Sequence, residues 1–170
     1  MAIEIERKFL LTNDEWRSQV KSRSKFVQGY LSTTPERTVR IRMADEQAWL
    51  TVKGKSCGNS RCEYEYTIPL TDAVEMLDCL CKQPLIEKWR YRLDFCGHQW
   101  EIDEFIGSNN GLLVAEIELK EADEKFSRPT WLGDEVSDDP RYFNSNLCAH
   151  PFSCWNNNCS ISPGEKNPVP

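Results

Sequence analysis

Residues 1–11 read MAIEIERKFLL, and this stretch alternates with the two-residue period that is typical of a β-strand. One face of the predicted strand is apolar apart from a single arginine. The opposite face carries charge alone, from Glu4, Glu6 and Lys8. The fold therefore depends on whether this charged face lies in bulk water or lines an interior.

The same alternation recurs in seven further stretches, and most of them also place charged residues together on one face. Unlike the mixed polar face of an ordinary sheet, several of these faces carry a single sign of charge. In chain order, the charged faces hold Glu4, Glu6 and Lys8; Arg40 and Arg42; Lys53; Glu63 and Glu65; Lys88, Arg90 and Arg92; Glu101 and Asp103; and Glu116 and Glu118.

The faces opposite these charges are too apolar to be left in water, so they need a cover. Helices are predicted at TNDEW (12–16) and TDAVEMLDCLCK (71–82), and residues 131–147 are predicted to form turns and a short helix. These elements can cover only the outside of a sheet, which leaves the charges on its concave side. The predicted fold is α+β: an eight-stranded antiparallel sheet or β-barrel with the charges on its inner side and helices packed on the outside.

The charge balance of this predicted lining indicates its ligand. Its eight carboxylates and seven cations give a formal charge of about −1, and two divalent ions would make it about +3. Paired carboxylates form a hard-oxygen site suited to Mg²⁺ or Mn²⁺, whereas arginine and lysine bind phosphate oxygens. The lining therefore predicts a metal-dependent site, with two divalent ions, for a small phosphate compound.

Composition narrows the class of protein further. The 170 residues carry a formal net charge of −6, which argues against a general nucleic-acid or anionic-membrane binder. There is no apolar run of the length a membrane-spanning helix needs, and the first residues lack the pattern of a signal peptide. We expect a cytoplasmic monomer or homodimer with one domain at residues 1–150 and a flexible tail at residues 151–170.

The eight cysteines show no paired CxxC spacing, which favours reduced thiols over a disulfide framework. A zinc site is the alternative. Its four ligands would be Cys148, His150, Cys154 and Cys159, although their spacing matches no common zinc motif.

Eight stretches in order carry a family likeness that covers roughly residues 1–150. They are EIERKF (4–9), TVRIR (38–42), LTVKG (50–54), EYEYTIP (63–69), IEKWRYR (86–92), WEIDEF (100–105), GLLVAEIEL (111–119) and LGDEVSDDPRYFN (132–144). The series resembles the CYTH superfamily, also called the triphosphate tunnel metalloenzymes. That family includes class IV adenylate cyclases, thiamine triphosphatases and bacterial inorganic triphosphatases. The resemblance implies an eight-stranded tunnel that holds divalent metal ions and a linear triphosphate.

The resemblance also implies a role for each matching residue. The principal metal-binding carboxylates would be Glu4, Glu6, Glu116 and Glu118, with Glu63, Glu65 and Asp103 as direct or water-mediated ligands. The phosphate-binding set would be Lys8, Arg40, Arg42, Lys53, Arg90 and Arg92, with Lys55 as an alternative to Lys53. Lys88 would be the lysine that helps to activate the attacking water, and Glu101 would line the tunnel.

The implied activity is hydrolysis of inorganic tripolyphosphate to pyrophosphate and phosphate. A class IV-type adenylate cyclase or a thiamine or nucleoside triphosphatase stays open as an alternative, with Trp16, Tyr30 or Trp49 available to stack on a base. A non-catalytic polyphosphate-binding module is the alternative from another class.

Overall fold

The computed structural model describes residues 2–55 and 60–155, with the backbone alone described at residues 2–4, 60 and 61. Its main feature is one antiparallel sheet of nine strands. In chain order these are β1 (Ala2–Leu11), β2 (Ser22–Thr34), β3 (Arg37–Ala44), β4 (Gln47–Gly54), β5 (Ser60–Thr67), β6 (Ile86–Phe95), β7 (His98–Ile106), β8 (Leu113–Glu118) and β9 (Leu132–Glu135). The helices are α1 (Leu70–Cys79), α2 (Asn144–Ala149) and 3-10 turns at Glu15–Gln19, Gly107–Asn109, Pro140–Tyr142 and Phe152–Cys154.

The strands are ordered β5-β4-β3-β2-β6-β7-β8-β1-β9, and β1 also pairs with β5. In that last pairing Ala2 lies opposite Glu63 and Ile5 lies opposite Ser60. Every strand pairing is antiparallel. A mostly antiparallel sheet with few helices confirms the predicted α+β class.

The predicted number of eight strands is wrong, because β9 lies in a segment that the sequence assigned to turns and a short helix. Phe9 of β1 pairs with Ala115 of β8 and with Glu135, so β9 lies along the other edge of β1. A four-residue LGDE strand carries no readable alternation. Its formation depends on the exposed edge of β1, which sequence periodicity does not report.

Most of the apolar core lies on the side of the sheet that faces away from the charges. One cluster covers β1, β6, β7 and β8; it contains Phe9, Trp16, Trp100, Ile117 and Trp131, with Phe126 packed against it. A second cluster lies beneath α1 and contains Ile41, Ala48, Ala73, Leu77 and Cys81. The predicted external cover is therefore present.

The third apolar cluster occupies one end of the charged side. Tyr30, Ile86, Phe105 and Val114 continue the same strand faces that carry the charges, and Leu147 of α2 packs against them. The sequence analysis had placed the apolar cover only outside. This inner cluster makes one end of the charged region apolar.

Both predicted helices differ in detail from the structure. Residues 15–19 form a 3-10 turn, and the hydroxyl of Thr12 donates to the carbonyl of Thr130 in place of capping a helix. In α1 the buried residues are Ala73 and Leu77, whereas Val74 and Leu80, which the helical spacing of apolar residues in TDAVEMLDCLCK places on the same face as Leu77, are 50% and 65% exposed. The helix ends at Cys79, so the predicted periodicity does not continue to its last positions.

Within the described part of the chain, every helix is too short or too polar to cross a lipid bilayer.

Candidate active site

The charged side of the sheet surrounds a cavity of about 940 Å³. The predicted site residues line it, with the exceptions of Glu4 and Asp103. Those lining the cavity are Glu6, Lys8, Arg40, Arg42, Lys53, Glu63, Glu65, Lys88, Arg90, Arg92, Glu116 and Glu118, together with Glu101. Seven of the nine strands thus bring charges that are far apart in sequence to one volume.

The two exceptions differ in kind. The side chain of Glu4 lies outside the described residues, although its backbone pairs with Arg61. Asp103 is fully buried behind the cavity wall, where it accepts hydrogen bonds from Lys88 and Arg90.

Glu6 and Glu116 converge on one cation. The ammonium of Lys8 donates to Oε1 of both carboxylates, and Glu6 lies opposite Glu118 in the β1–β8 pairing. Their oxygens therefore point at a common position that already accommodates positive charge. Despite the cost of burial, Lys8, Arg90 and Lys88 hold the pKa of Glu116 well below its usual range, so the carboxylate is ionised.

Arg40 and Arg42 lie on neighbouring positions of the charged face of β3, and Glu65 is their shared carboxylate. Nη2 of Arg42 lies 3.0 Å from Oε2 of Glu65, and that of Arg40 lies 3.6 Å from it. The Nε–H groups of both arginines are buried without a hydrogen-bond partner among the described residues. Buried donors are costly unless an acceptor reaches them, and a phosphate oxygen is such an acceptor.

Lys53 is the buried lysine of β4, and its ammonium lies 2.7 Å from the Glu63 carboxylate. Lys55, the alternative, also reaches the cavity but is exposed. The structure therefore brings both lysines to the site, with Lys53 in the interior.

Lys88 and Arg90 lie at neighbouring positions of the charged face of β6, and both are buried. Arg90 contacts Glu101, Asp103 and Glu116, and these carboxylates raise the pKa of its guanidinium well above the ordinary value against the cost of burial. Burial and the neighbouring Arg90 charge lower the pKa of Lys88 to about 8. Arg92 is half-buried at the edge, 2.9 Å from Glu101.

Several cavity residues were missed by the sequence analysis. Ser24, Phe26 and Gln28 precede Tyr30 at two-residue spacing on β2, so periodicity could have placed them, but they carry no charge to attract notice. A second group comes from the segment after β9; it comprises Ser137, Asp138, Pro140, Phe143, Asn144, Ser145 and Asn146.

The three aromatic residues considered for base stacking lie in different parts of the structure. Trp16 is fully buried in the outer core against Tyr91, so it cannot meet a ligand in the cavity. Tyr30 and Trp49 line the cavity, and the Arg42 guanidinium lies 5.3 Å from the Trp49 ring centroid.

Comparison with known proteins places this arrangement in a family. The CYTH domain model matches residues 2–143. The chain belongs to the CYTH domain family. The inorganic triphosphatase of Acetivibrio thermocellus is 47% identical over 152 residues, which cover 89% of this chain and 97% of that protein.

Two further comparisons also cover most of this chain. The inorganic triphosphatase of Nitrosomonas europaea is 37% identical over 150 residues, or 85% of this chain and 95% of that protein. The crystal structure of the inorganic triphosphatase NE1496 superposes with a TM-score of 0.62 at 33% identity, covering 87% of this chain and 95% of that one. The recognised resemblance is thus confirmed over nearly the whole relative in each case.

Membership of the CYTH family implies dependence on a divalent metal ion, and the residues present fit one. The Lys8 ammonium marks a point where the carboxylates of Glu6 and Glu116 meet, and hard carboxylate oxygens are the ligands that Mg²⁺ and Mn²⁺ prefer. Among residues 2–55 and 60–155 no three metal-ligating side chains are already clustered. The Lys8 ammonium occupies the point that the Glu6 and Glu116 carboxylates share.

The cysteine-rich end is described only in part. Six cysteines lie in the described part of the chain, and all six are free thiols there; Cys57 and Cys159 lie outside it. Cys148 is buried and donates to the carbonyls of Lys82 and Pro84. Of the predicted tail, Trp155 packs against Tyr142 and Phe152, and residues 156–170 lie outside the described residues.

Proposed function

We propose that this CYTH domain protein is a hydrolase that converts inorganic tripolyphosphate to pyrophosphate and phosphate. The observation that carries the proposal is one cavity in which carboxylates face Arg40 and Arg42, whose buried Nε–H groups lack a partner among the described residues. The CYTH relatives named inorganic triphosphatase, at 47% and 37% identity, support the same substrate.

We also propose that eight of the nine strands, all except β9, close into a barrel, so that the cavity is a tunnel. Support comes from the pairing of β1 with β5 in addition to β8, because that contact joins the two ends of the series β5-β4-β3-β2-β6-β7-β8-β1. A closed sheet holds opposed strands at fixed distances, which suits recognition of a short linear anion.

In the proposed mechanism the cations position the phosphoryl groups. Arg40 and Arg42 offer N–H donors from β3, and Arg90 and Arg92 offer them from β6, on the other side of β2. Phosphoryl transfer needs mainly positioning and neutralisation of charge, so a ring of fixed cations supplies much of what the reaction requires. Lys8 and Lys53 complete the proposed phosphate-binding set.

The carboxylates would hold two divalent ions, Mg²⁺ or Mn²⁺, with Glu4, Glu6, Glu116 and Glu118 as principal ligands and Glu63 and Glu65 nearby. When bound, such ions neutralise phosphate charge and lower the pKa of water. Asp103 was predicted as a further ligand, but its contacts suit it better to holding Lys88 and Arg90 in place.

Lys88 is the proposed proton acceptor. One water is consumed and one P–O–P bond is broken, and the proton released by the attacking water passes to neutral Lys88. With a pKa of about 8, part of the lysine population is neutral near neutral pH. The inner apolar cluster beside Lys88 keeps bulk water from this end of the site.

A phosphate-release panel tests the function. The purified protein is assayed with tripolyphosphate, ATP and thiamine triphosphate, each with Mg²⁺ or Mn²⁺, and pyrophosphate and phosphate are quantified separately. We expect the highest kcat/KM with tripolyphosphate and equal yields of the two products. Cyclic AMP from ATP would indicate the cyclase alternative, and tight binding without release would indicate the non-catalytic alternative.

A further inference from the structure

Phe26 is the aromatic residue at the centre of the cationic wall. It lies on β2, which runs between β3 and β6, and it faces Ala44 on one side and Lys88 on the other. Its side chain lines the cavity and is 4% exposed. None of the expected site residues shares this apolar chemistry.

Three guanidinium groups surround the Phe26 ring. The Cζ atoms of Arg42, Arg90 and Arg92 lie 5.5, 5.4 and 5.9 Å from the ring centroid. An aromatic ring attracts a cation within about 6 Å through its quadrupole, and more strongly where water is excluded. One ring therefore contacts arginines that come from two different strands.

These arginines need such a contact because their charges oppose one another. Burial, with Arg40 and Arg90 close by, lowers the pKa of Arg42 to about 10. One carboxylate partner of Arg42 and one of Arg90 are among the residues proposed to bind metal: Glu65 for Arg42, and Glu116 for Arg90, which Glu101 and Asp103 also contact. A carboxylate that turns to a metal ion loosens its hold on the arginine, whereas the ring has no metal-binding atom and stays in place.

We propose that Phe26 is a positioning residue that holds the guanidiniums of Arg42, Arg90 and Arg92 at the spacing required by the substrate phosphates. The inference rests on the proposed function. It assigns the ring no contact with the reacting atoms. The role is electrostatic, so it depends on the electron density of the ring as well as on its volume.

The test compares variants at position 26 that separate ring electrostatics from packing. Phe26→Leu removes the ring, Phe26→Tyr retains it, and Phe26→3,4,5-trifluorophenylalanine preserves the ring while weakening its quadrupole. Trp89→Leu is the matched control, because Trp89 contacts the Arg23 guanidinium at 4.9 Å on the opposite face of β6. The measurements are KM and kcat with tripolyphosphate, and the Kd of non-hydrolysable imidotriphosphate with Mn²⁺ by calorimetry.

We expect Phe26→Leu and the trifluoro variant to raise KM and Kd about tenfold with a smaller change in kcat, and Phe26→Tyr and Trp89→Leu to stay within about threefold of the unmodified protein. An unchanged Kd in the trifluoro variant overturns the proposal. Because this substitution nearly preserves the shape of the ring, the test remains valid even if Phe26→Leu does not fold. An unmodified protein that binds imidotriphosphate without cleaving tripolyphosphate overturns the proposed function alone, since the Kd series still tests the ring. Absence of binding overturns both.

Discussion

The ammonium of Lys88 donates to Oδ2 of Asp103, and both side chains are buried, 2% and 0% exposed. Asp103 also accepts two hydrogen bonds from Arg90, at 2.7 Å each. One carboxylate thus serves two cations that repel each other. Desolvation and Arg90 together outweigh the attraction of Asp103, and the pKa of Lys88 falls to about 8.

The lowered pKa predicts the pH dependence of turnover. If neutral Lys88 accepts the proton, its active form is populated above the pKa, so kcat should rise between pH 7 and 9 with a midpoint near 8. Lys88→Arg should remove the inflection and lower kcat at least a hundredfold, because a guanidinium stays protonated. Lys25→Arg, at an exposed ion pair with Glu87, is the control that should keep the profile. A flat profile in the unmodified protein would contradict the assignment.

Replacement of Asp103 should cost stability. Asp103→Asn gives buried Lys88 a neutral partner and removes one of the three carboxylates that contact Arg90, and breaking a buried pair in this way typically costs about 3–5 kcal/mol. The free energy of unfolding in urea measures the loss. Asp94→Asn, at the exposed pair with Lys21, should cost no more than about 1 kcal/mol. Equal small losses in the two variants would argue that Asp103 contributes little to holding the site.

Substrate affinity should depend on Arg42. Its buried Nε–H lacks a partner among the described residues, so a phosphate oxygen would satisfy it. Removal of a hydrogen bond to a charged group predicts a rise in KM of about tenfold to a hundredfold for Arg42→Ala. Arg23→Ala on the outer face provides the comparison and should leave KM unchanged. Initial rates over a range of tripolyphosphate concentrations give KM for each variant.

Metal dependence should be sensitive to Glu116. Glu116→Gln preserves shape but removes a charge from the point where Glu6 and Glu116 converge. We expect the Mn²⁺ concentration for half-maximal activity to rise at least tenfold, and a chelator to abolish activity in both proteins. Glu104→Gln, which alters an outer carboxylate bound to Arg17, should not shift the metal titration. No shift in Glu116→Gln would exclude this carboxylate as a ligand.

Ligand binding should raise the melting temperature only when metal and anion are present together. At about a hundred times Kd a ligand that binds the folded state alone adds about 2.7 kcal/mol, or roughly 5–10 °C for a chain of this size. Differential scanning calorimetry with Mn²⁺ and imidotriphosphate, singly and combined, measures the shift. If the charges of the sheet only faced water, metal and anion together would not raise the melting temperature.

Sequence alone determined the strand pattern and the membership of the charged set. The two-residue period places Arg40, Arg90 and Glu116 on strand faces opposite apolar residues, and the apolar faces had to be covered. The family likeness followed from the same residues in the same order. These features are local or repeated along the chain, so the amino-acid sequence is enough to reveal them.

Tertiary structure alone decided how these charges meet. It paired β9 with β1, buried Asp103 behind Lys88, directed Glu6 and Glu116 to one point and set Phe26 among three arginines. None of these relationships can be read from the periodicity of the sequence, because each joins residues on different strands and depends on strand register and side-chain direction. The pKa of Lys88 follows from the same cause, since burial and the distance to Arg90 exist only in the folded chain.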